Sequence, residues 1–249
     1  MKKVIIDKLK EIEHNENVKI LLAVESGSRA WGFASPDSDY DVRFIYVRPK
    51  EFYLKLEKTR DVIELPINDE LDINGWDLCK ALRLLHSSNP TLFEWLSSPV
   101  KYIETDFYSK YKDIILDYFS PKKSLYHYVN MADNHFKLLK GTTVKAKKYF
   151  YALRPVLACR WILDYGKQPP ISFYELMNDK LPEEYKPLVN NLLDIKINSP
   201  EIKEIERVDT LNHYIDYSIG DVKNILGSMY EKNEKSWKTL NEILLTEAL

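Results

Sequence analysis

VKILLAVESGSRAWGFASPDSDYDVRFIYV, residues 18–47, holds two strand-like runs joined by a segment unlike either. VKILLAVES is a short continuous apolar run, the pattern of a strand covered on both faces. YDVRFIYV (40–47) alternates and is rich in β-branched and aromatic residues, so it reads as a second strand. Between them, residues 25–41 contain two of the chain's seven glycines together with Arg29, Asp37, Asp39 and Asp41. Gly27 and Ser28 leave the first strand where a side chain would obstruct close backbone approach, and free N–H groups at such a turn can hold an anion. A phosphate is the anion this suggests. Asp39, Asp41 and Arg43 follow at a spacing of two, which places them on one face of a strand. Carboxylates held so close repel, and a divalent cation relieves the repulsion. Oxygen-only ligands suit Mg²⁺ or Mn²⁺, which complete their shells with waters and substrate phosphates.

Plainer readings exist for each residue. SPDSD is ordinary turn composition, and Asp37 reads as a turn former. Ser28 can cap a short helix. Arg29 can steady a triphosphate or face solvent, and Arg43 can do the same or pair internally with Asp39 or Asp41. It is the joint presence of the Gly-Ser pair and the spaced aspartates that favours the metal reading.

Outward from this stretch, residues 3–13 suit an amphipathic first helix. RDVIELPI (60–67) and ELDINGW (70–76) predict a third and a fourth strand, antiparallel across NDE. DLCKALRLLHSSNP (77–90) predicts a helix with Asp77 as N-cap and Asn89-Pro90 beyond its end. After YFSPKKS the pattern turns helical, over 124–140, 143–164, 172–178, 183–196 and 210–246. The expected fold class is therefore α+β: a mixed sheet with flanking helices over 1–120, then an all-helical domain over 121–249.

Composition narrows the function classes. With 249 residues, 45% hydrophobic and 30% charged, the chain can build one large or two modest domains. No apolar run is long enough to span a bilayer, and the first residues become charged too soon for a signal peptide, so a cytoplasmic protein is expected. Cys79 and Cys159 sit in apolar helical patterns and read as buried small hydrophobes. The formal net charge of −2 excludes a globally basic nucleic-acid coat. Locally, residues 134–163 contain no acid, yet they carry Lys137, Lys140, Lys145, Lys147, Lys148, Arg154 and Arg160. Tyr149, Tyr151 and Trp161 are interleaved, and they read as core while the lysines face an anionic ligand. His127 and His135, eight residues apart, are too far separated for a shared metal and receive no role. GTTVKAKK lacks the Gly-Lys-Ser/Thr end of a phosphate loop.

The series Gly27-Ser28-Arg29-Ala30, Gly32 and Ser35-Pro36-Asp37-Ser38-Asp39-Tyr40-Asp41-Val42 resembles the signature of nucleotidyltransferases of the DNA polymerase β superfamily. The likeness is most specific over residues 18–80 and extends loosely to a predicted bacterial and phage branch. It implies a two-metal site holding Mg²⁺ or Mn²⁺, with Asp39, Asp41 and a third carboxylate on a neighbouring strand. Asp72 is the choice and Glu70 the rival. It further implies that the helical domain closes the nucleotide cleft, with Gly27, Ser28, Arg29, Arg43, Lys147 and Lys148 contacting nucleotide or phosphate. The expected reaction moves a nucleoside monophosphate from an NTP to a hydroxyl of an RNA 3′ end, a protein or a small molecule. Pyrophosphate is released, and the basic stripe favours RNA as acceptor. The alternative is a nucleotide-binding or antitoxin-like partner protein with little turnover, and the placement of the third carboxylate separates the two.

Overall fold

The computed structural model describes residues 1–66, 70–199, 204–230 and 235–248. Helix α1 (Lys2–Glu16) ends at Asn17, a left-handed C-cap, and leads directly into β1 (Lys19–Glu25). Every residue of β1 after Lys19 is buried, as its unbroken apolar run predicts. A single helical turn, α2 (Gly27–Trp31), separates β1 from the loop that returns to β2 (Tyr40–Val47). After α3 (Lys50–Tyr53) come β3 (Val62–Glu64) and β4 (Leu71–Asp77). Helices α4 (Leu78–His86) and α5 (Pro90–Leu96), strand β5 (Lys101–Glu104) and helix α6 (Phe107–Asp117) complete this region.

The five strands form one mixed sheet in the order β3-β4-β2-β1-β5. β2 runs antiparallel to β1 and parallel to β4, while β3 and β5 pair antiparallel at the two edges. On one face Ile5, Leu9 and Ile12 of α1 pack with Ile20, Val42, Phe44 and Tyr46. Gly75 of β4 sits beside Phe44, whose ring fills the space a Cβ would take, at 2.2 Å. On the other face Ile45 lies with Leu82, Leu85 and Ile115. Asp77 caps α4 as expected, its Oδ1 accepting from the Cys79 N–H at 2.8 Å. Asn89 caps α5 in the same way.

Beyond residue 118 the chain is mostly helical: α7 (Pro121–Phe136), strand β6 (Thr143–Lys145), α8 (Lys147–Tyr165), α9 (Phe173–Lys180), α10 (Lys186–Asn198), strand β7 (Glu204–Glu206) and α11 (Asp209–Ser228). The last helix is α12 (Trp237–Glu247).

Two compact units result, and they are not the contiguous halves 1–120 and 121–249. The sheet unit takes residues 1–30 and 39–118 together with α12, and the helical unit takes residues 31–38 and 119–230. Leu240 and Ile243 of α12 are buried in the sheet unit, where α12 packs on α4 and Trp237 stacks on His86 at 3.7 Å. The helix expected over 210–246 is therefore two helices in different units.

In the helical unit, Phe33 is fully buried among Phe150 and Phe173, at centroid distances of 5.1 and 5.4 Å. Lys196, buried on α10, donates to the Ser35 and Ser38 hydroxyls at 2.7 and 3.2 Å. The loop 31–38 is thus part of the helical unit's core. Residues 143–145, expected to begin a helix, instead form β6 and pair with β7. Among the described residues no helix is long and apolar enough to cross a membrane.

Candidate active site

Gly27 has φ +57°, a left-handed conformation that side chains rarely tolerate. A Cβ built there would lie 2.0 Å from Asp41 Oδ2. The glycine is thus required twice, by its backbone conformation and by the carboxylate that fills its empty side. Hydrogen bonds hold the approach: the Ser26 N–H donates to Asp41 O and the Asp41 N–H to the Glu25 side-chain Oε1, each at 2.8 Å. The Gly-Ser turn and the acidic strand are one local structure.

Parallel pairing of β2 with β4 sets Asp41 directly beside Asp72. Glu70 is exposed, and its carbonyl accepts from the Tyr40 N–H at 2.8 Å. Of the two rival third carboxylates, Asp72 is the one brought alongside Asp41. Arg43 joins them. Its Nη2 lies 2.9 Å from Asp41 Oδ1 and 2.6 Å from Asp72 Oδ2, while its Nη1 donates to Asp72 O at 2.7 Å and Val42 O at 3.1 Å. The Asp41 and Asp72 side chains are 28% and 30% exposed and that of Arg43 17%, so the cluster lies at the rim of the sheet, partly screened from water.

Asp39 precedes β2 and is exposed, and its carbonyl accepts from Arg29 Nε at 3.1 Å. The Arg29 guanidinium also lies over the Tyr40 ring, 3.8 Å from its centroid. Ser28 is buried, on the turn itself. Among the described residues no three acidic, histidine or cysteine side chains are grouped as a metal site requires. The expected triad of Asp39, Asp41 and Asp72 is therefore present as one adjacent pair with Arg43 between its members, and Asp39 apart at the strand's entrance.

Glu25 escaped the sequence reading. It is 1% exposed at the end of β1, and burial pushes its carboxyl above the ordinary glutamate range. Hydrogen bonds from the Tyr102 hydroxyl and the Asp41 N–H oppose that rise, and the neighbouring Asp41 charge reinforces it. Glu25 thus buttresses the backbone that carries Asp41. Its signal was available: a single acid closing an otherwise apolar strand.

The basic stripe divides on inspection. Tyr149 is buried, as expected of a core aromatic, and its hydroxyl accepts from the Val208 N–H at 2.7 Å. Arg154 is buried as well, over the Trp31 ring and donating to Ile171 O. Arg160 pairs with the distant Asp221 at 2.6 Å and Lys137 with Asp133, one helical turn before it, at 3.3 Å, so acids outside the stretch answer part of the stripe. Lys147 and Lys148 are half-buried at the first turn of α8, within the helical unit. Cys159 is buried as expected, whereas Cys79 is only half-buried.

Comparison with known proteins follows the same direction. The sequence profile of the RNA repair pathway DNA polymerase beta family (RlaP) matches residues 1–246. The chain is 47% identical over 248 residues to the uncharacterized protein YcgL of Bacillus subtilis (strain 168), covering 98% of this chain and 95% of that one. Among solved structures, a nucleotidyltransferase-like protein from Exiguobacterium sibiricum 255-15 aligns over 90% of this chain and 75% of its own, at 13% identity and a TM-score of 0.32.

Proposed function

Because the chain belongs to the RNA repair pathway DNA polymerase beta family, we propose that it transfers a nucleoside monophosphate from an NTP to the 3′ hydroxyl of RNA. The acceptor oxygen bonds to the α-phosphorus, the α–β phosphoanhydride breaks, and pyrophosphate leaves as the acceptor proton is given up. The observation that carries this reading is the contact of Gly27 with the Asp41 carboxylate. It supports a single site in which the Gly27-Ser28 turn receives phosphate oxygens beside an acidic strand. Arg29, which lies over Tyr40 on the same turn, is assigned to triphosphate charge.

Carboxylates are the donors a hard divalent cation takes; among the described residues, however, no three such donors are grouped, and Asp41 packs its Oδ2 against Gly27 while its Oδ1 receives Arg43. Asp39 and Asp41 are the residues that would hold such a cation. A bound Mg²⁺ or Mn²⁺ would supply phosphate charge neutralisation and lower the pKa of the acceptor hydroxyl. Lys147 and Lys148 are assigned to anionic substrate, in keeping with the acid-free stretch around them.

The acceptor is tested by offering α-labelled NTP and Mg²⁺ with an RNA bearing a free 3′ hydroxyl, the same RNA after periodate oxidation, and a protein mixture. Label on the free 3′ end alone is expected. Label on protein, or on oxidised RNA equally well, would move the reading to another acceptor.

A further inference from the structure

The sheet unit has a second concave site, at the other end of β4 from the carboxylate cluster. Asp72 stands at the start of that strand and Asp77 at its end, about 16 Å apart along an extended chain. Beyond Asp77 lies a pocket of about 610 Å³, within the range of about 300–1,000 Å³ that small-molecule sites take. Residues of α3, the segment 57–61, the first turns of α4 and Leu244 of α12 form its wall.

The polar groups of the wall divide by whether the fold has already used them. Asp61 pairs with Lys80 at 3.5 Å, Glu57 with Lys55 at 4.0 Å and Arg60 with Glu64. Asp77 is spent on the cap of α4 and on the Tyr53 hydroxyl. Lys58 and Arg83 are exposed at the pocket and have no ion pair among the described residues. The charge left over is therefore positive, and it stands beside the apolar side chains of Phe52 and Leu244. A guanidinium and an ammonium together suit a phosphate group, the first as a fork and the second as a point charge. Asp61 keeps acceptor lone pairs after its single ion pair, and hydroxyl donors suit those. A phosphate, a sugar with free hydroxyls and a flat apolar ring in one molecule of this size make a nucleotide.

We propose that this pocket binds a nucleoside monophosphate, with the phosphate on Lys58 and Arg83 and the base against Phe52 and Leu244. The inference does not draw on the transfer reading, and each stands if the other fails.

Cys79 makes the pocket readable. It is half-buried on the pocket wall, whereas Cys159 is 1% exposed, so alkylation at Cys79, located by peptide mass spectrometry, reports on this place. Burial pushes the Cys79 thiol up while the nearby Arg83 charge opposes the rise, and the reaction with N-ethylmaleimide is therefore run at mildly alkaline pH. AMP is the probe, and it is expected to slow alkylation of Cys79 in step with its occupancy. Adenosine, inorganic phosphate, and AMP offered to Lys58→Gln with Arg83→Gln are each expected to protect about tenfold less well or worse, the scale of losing hydrogen bonds to a charged group. Protection by inorganic phosphate equal to that by AMP would make this a bare anion site and overturn the inference. Protection by adenosine equal to that by AMP would overturn the role of the two cations. Equilibrium dialysis with labelled AMP decides even if Cys79 does not react. A binding site lost in Lys58→Gln with Arg83→Gln, and kept in Asp39→Asn with Asp41→Asn, is expected. No AMP binding, or binding that the Lys58 and Arg83 changes leave untouched, would overturn the inference.

Discussion

At the scale of single residues, the account turns on side chains that are absent or buried. Gly27→Ala places a methyl group against the Asp41 carboxylate and forces an L-residue to φ +57°. A cost of about 1–2 kcal/mol for the backbone is expected in urea unfolding. Nucleotide transfer should fall by about 100-fold or more, since small displacements of reacting groups are that expensive. A variant with wild-type turnover would show that the close approach is incidental. Asp77 supplies a pH test. Burial pushes its carboxyl above the ordinary value of 3.8, against hydrogen bonds from the Cys79 N–H and the Tyr53 hydroxyl. The folded state therefore keeps this proton to higher pH than the unfolded chain does. The residue's contribution is most favourable below pH 3.8 and is lost as pH rises through the elevated folded value. Relative to Asp77→Asn, the wild type should lose up to about 1.4 kcal/mol per pH unit across that window and run parallel above it. Urea melts of both proteins between pH 3.5 and 7 check this, and curves parallel throughout would contradict it. The sequence offered Gly27 and Asp41 through a Gly-Ser turn followed by spaced aspartates, and Asp72, with Glu70 as its rival, through the family resemblance. It could not show whether Arg43 meets substrate or carboxylates, because that depends on the register between β2 and β4.

At the scale of elements, long apolar runs were legible and short ones were not. β1, β2, β4 and α4 carry enough consecutive pattern to be placed from sequence. β5, α5 and α6 follow a proline-broken stretch and draw their stability from neighbours, β5 from pairing with β1. The three-residue strands β6 and β7 are joined only by tertiary pairing across some sixty positions, which local periodicity cannot report. The loop 31–38 reads as a plain return path, yet it is anchored by Phe33 and by Lys196 on Ser35 and Ser38. Lys196→Met is expected to lower unfolding free energy by about 1–3 kcal/mol, since two buried hydroxyls lose their charged donor. Amide exchange at 35–38 should accelerate more than exchange in α8. Equal acceleration throughout the helical unit would mean that the lysine supports the unit as a whole and not the loop.

At the scale of the whole molecule, the sheet unit closes with a helix from the far end of the chain. A cut at residue 120 looked natural because texture changes there, but texture records secondary structure and not which unit buries a helix. Leu240 and Ile243 of α12 are buried in the sheet unit, each worth about 1.5–3 kcal/mol. A fragment of residues 1–120 should therefore be about 3–6 kcal/mol less stable than the same fragment with α12 supplied as a linked segment, a difference readable by urea-monitored circular dichroism. Equal stability of the two would mean that α12 merely rests on the surface. The family assignment covers residues 1–246, and the central proposal is catalytic: that the turn at Gly27 and the carboxylate at Asp41 together carry nucleotide transfer. The most direct measurement follows α-labelled NTP and pyrophosphate simultaneously, with Mg²⁺ and a 3′-hydroxyl RNA, for the wild type and for Asp39→Asn with Asp41→Asn. The account predicts one pyrophosphate released for each label incorporated by the wild type, and neither signal above background in the double variant. Transfer that survives the double substitution would contradict it.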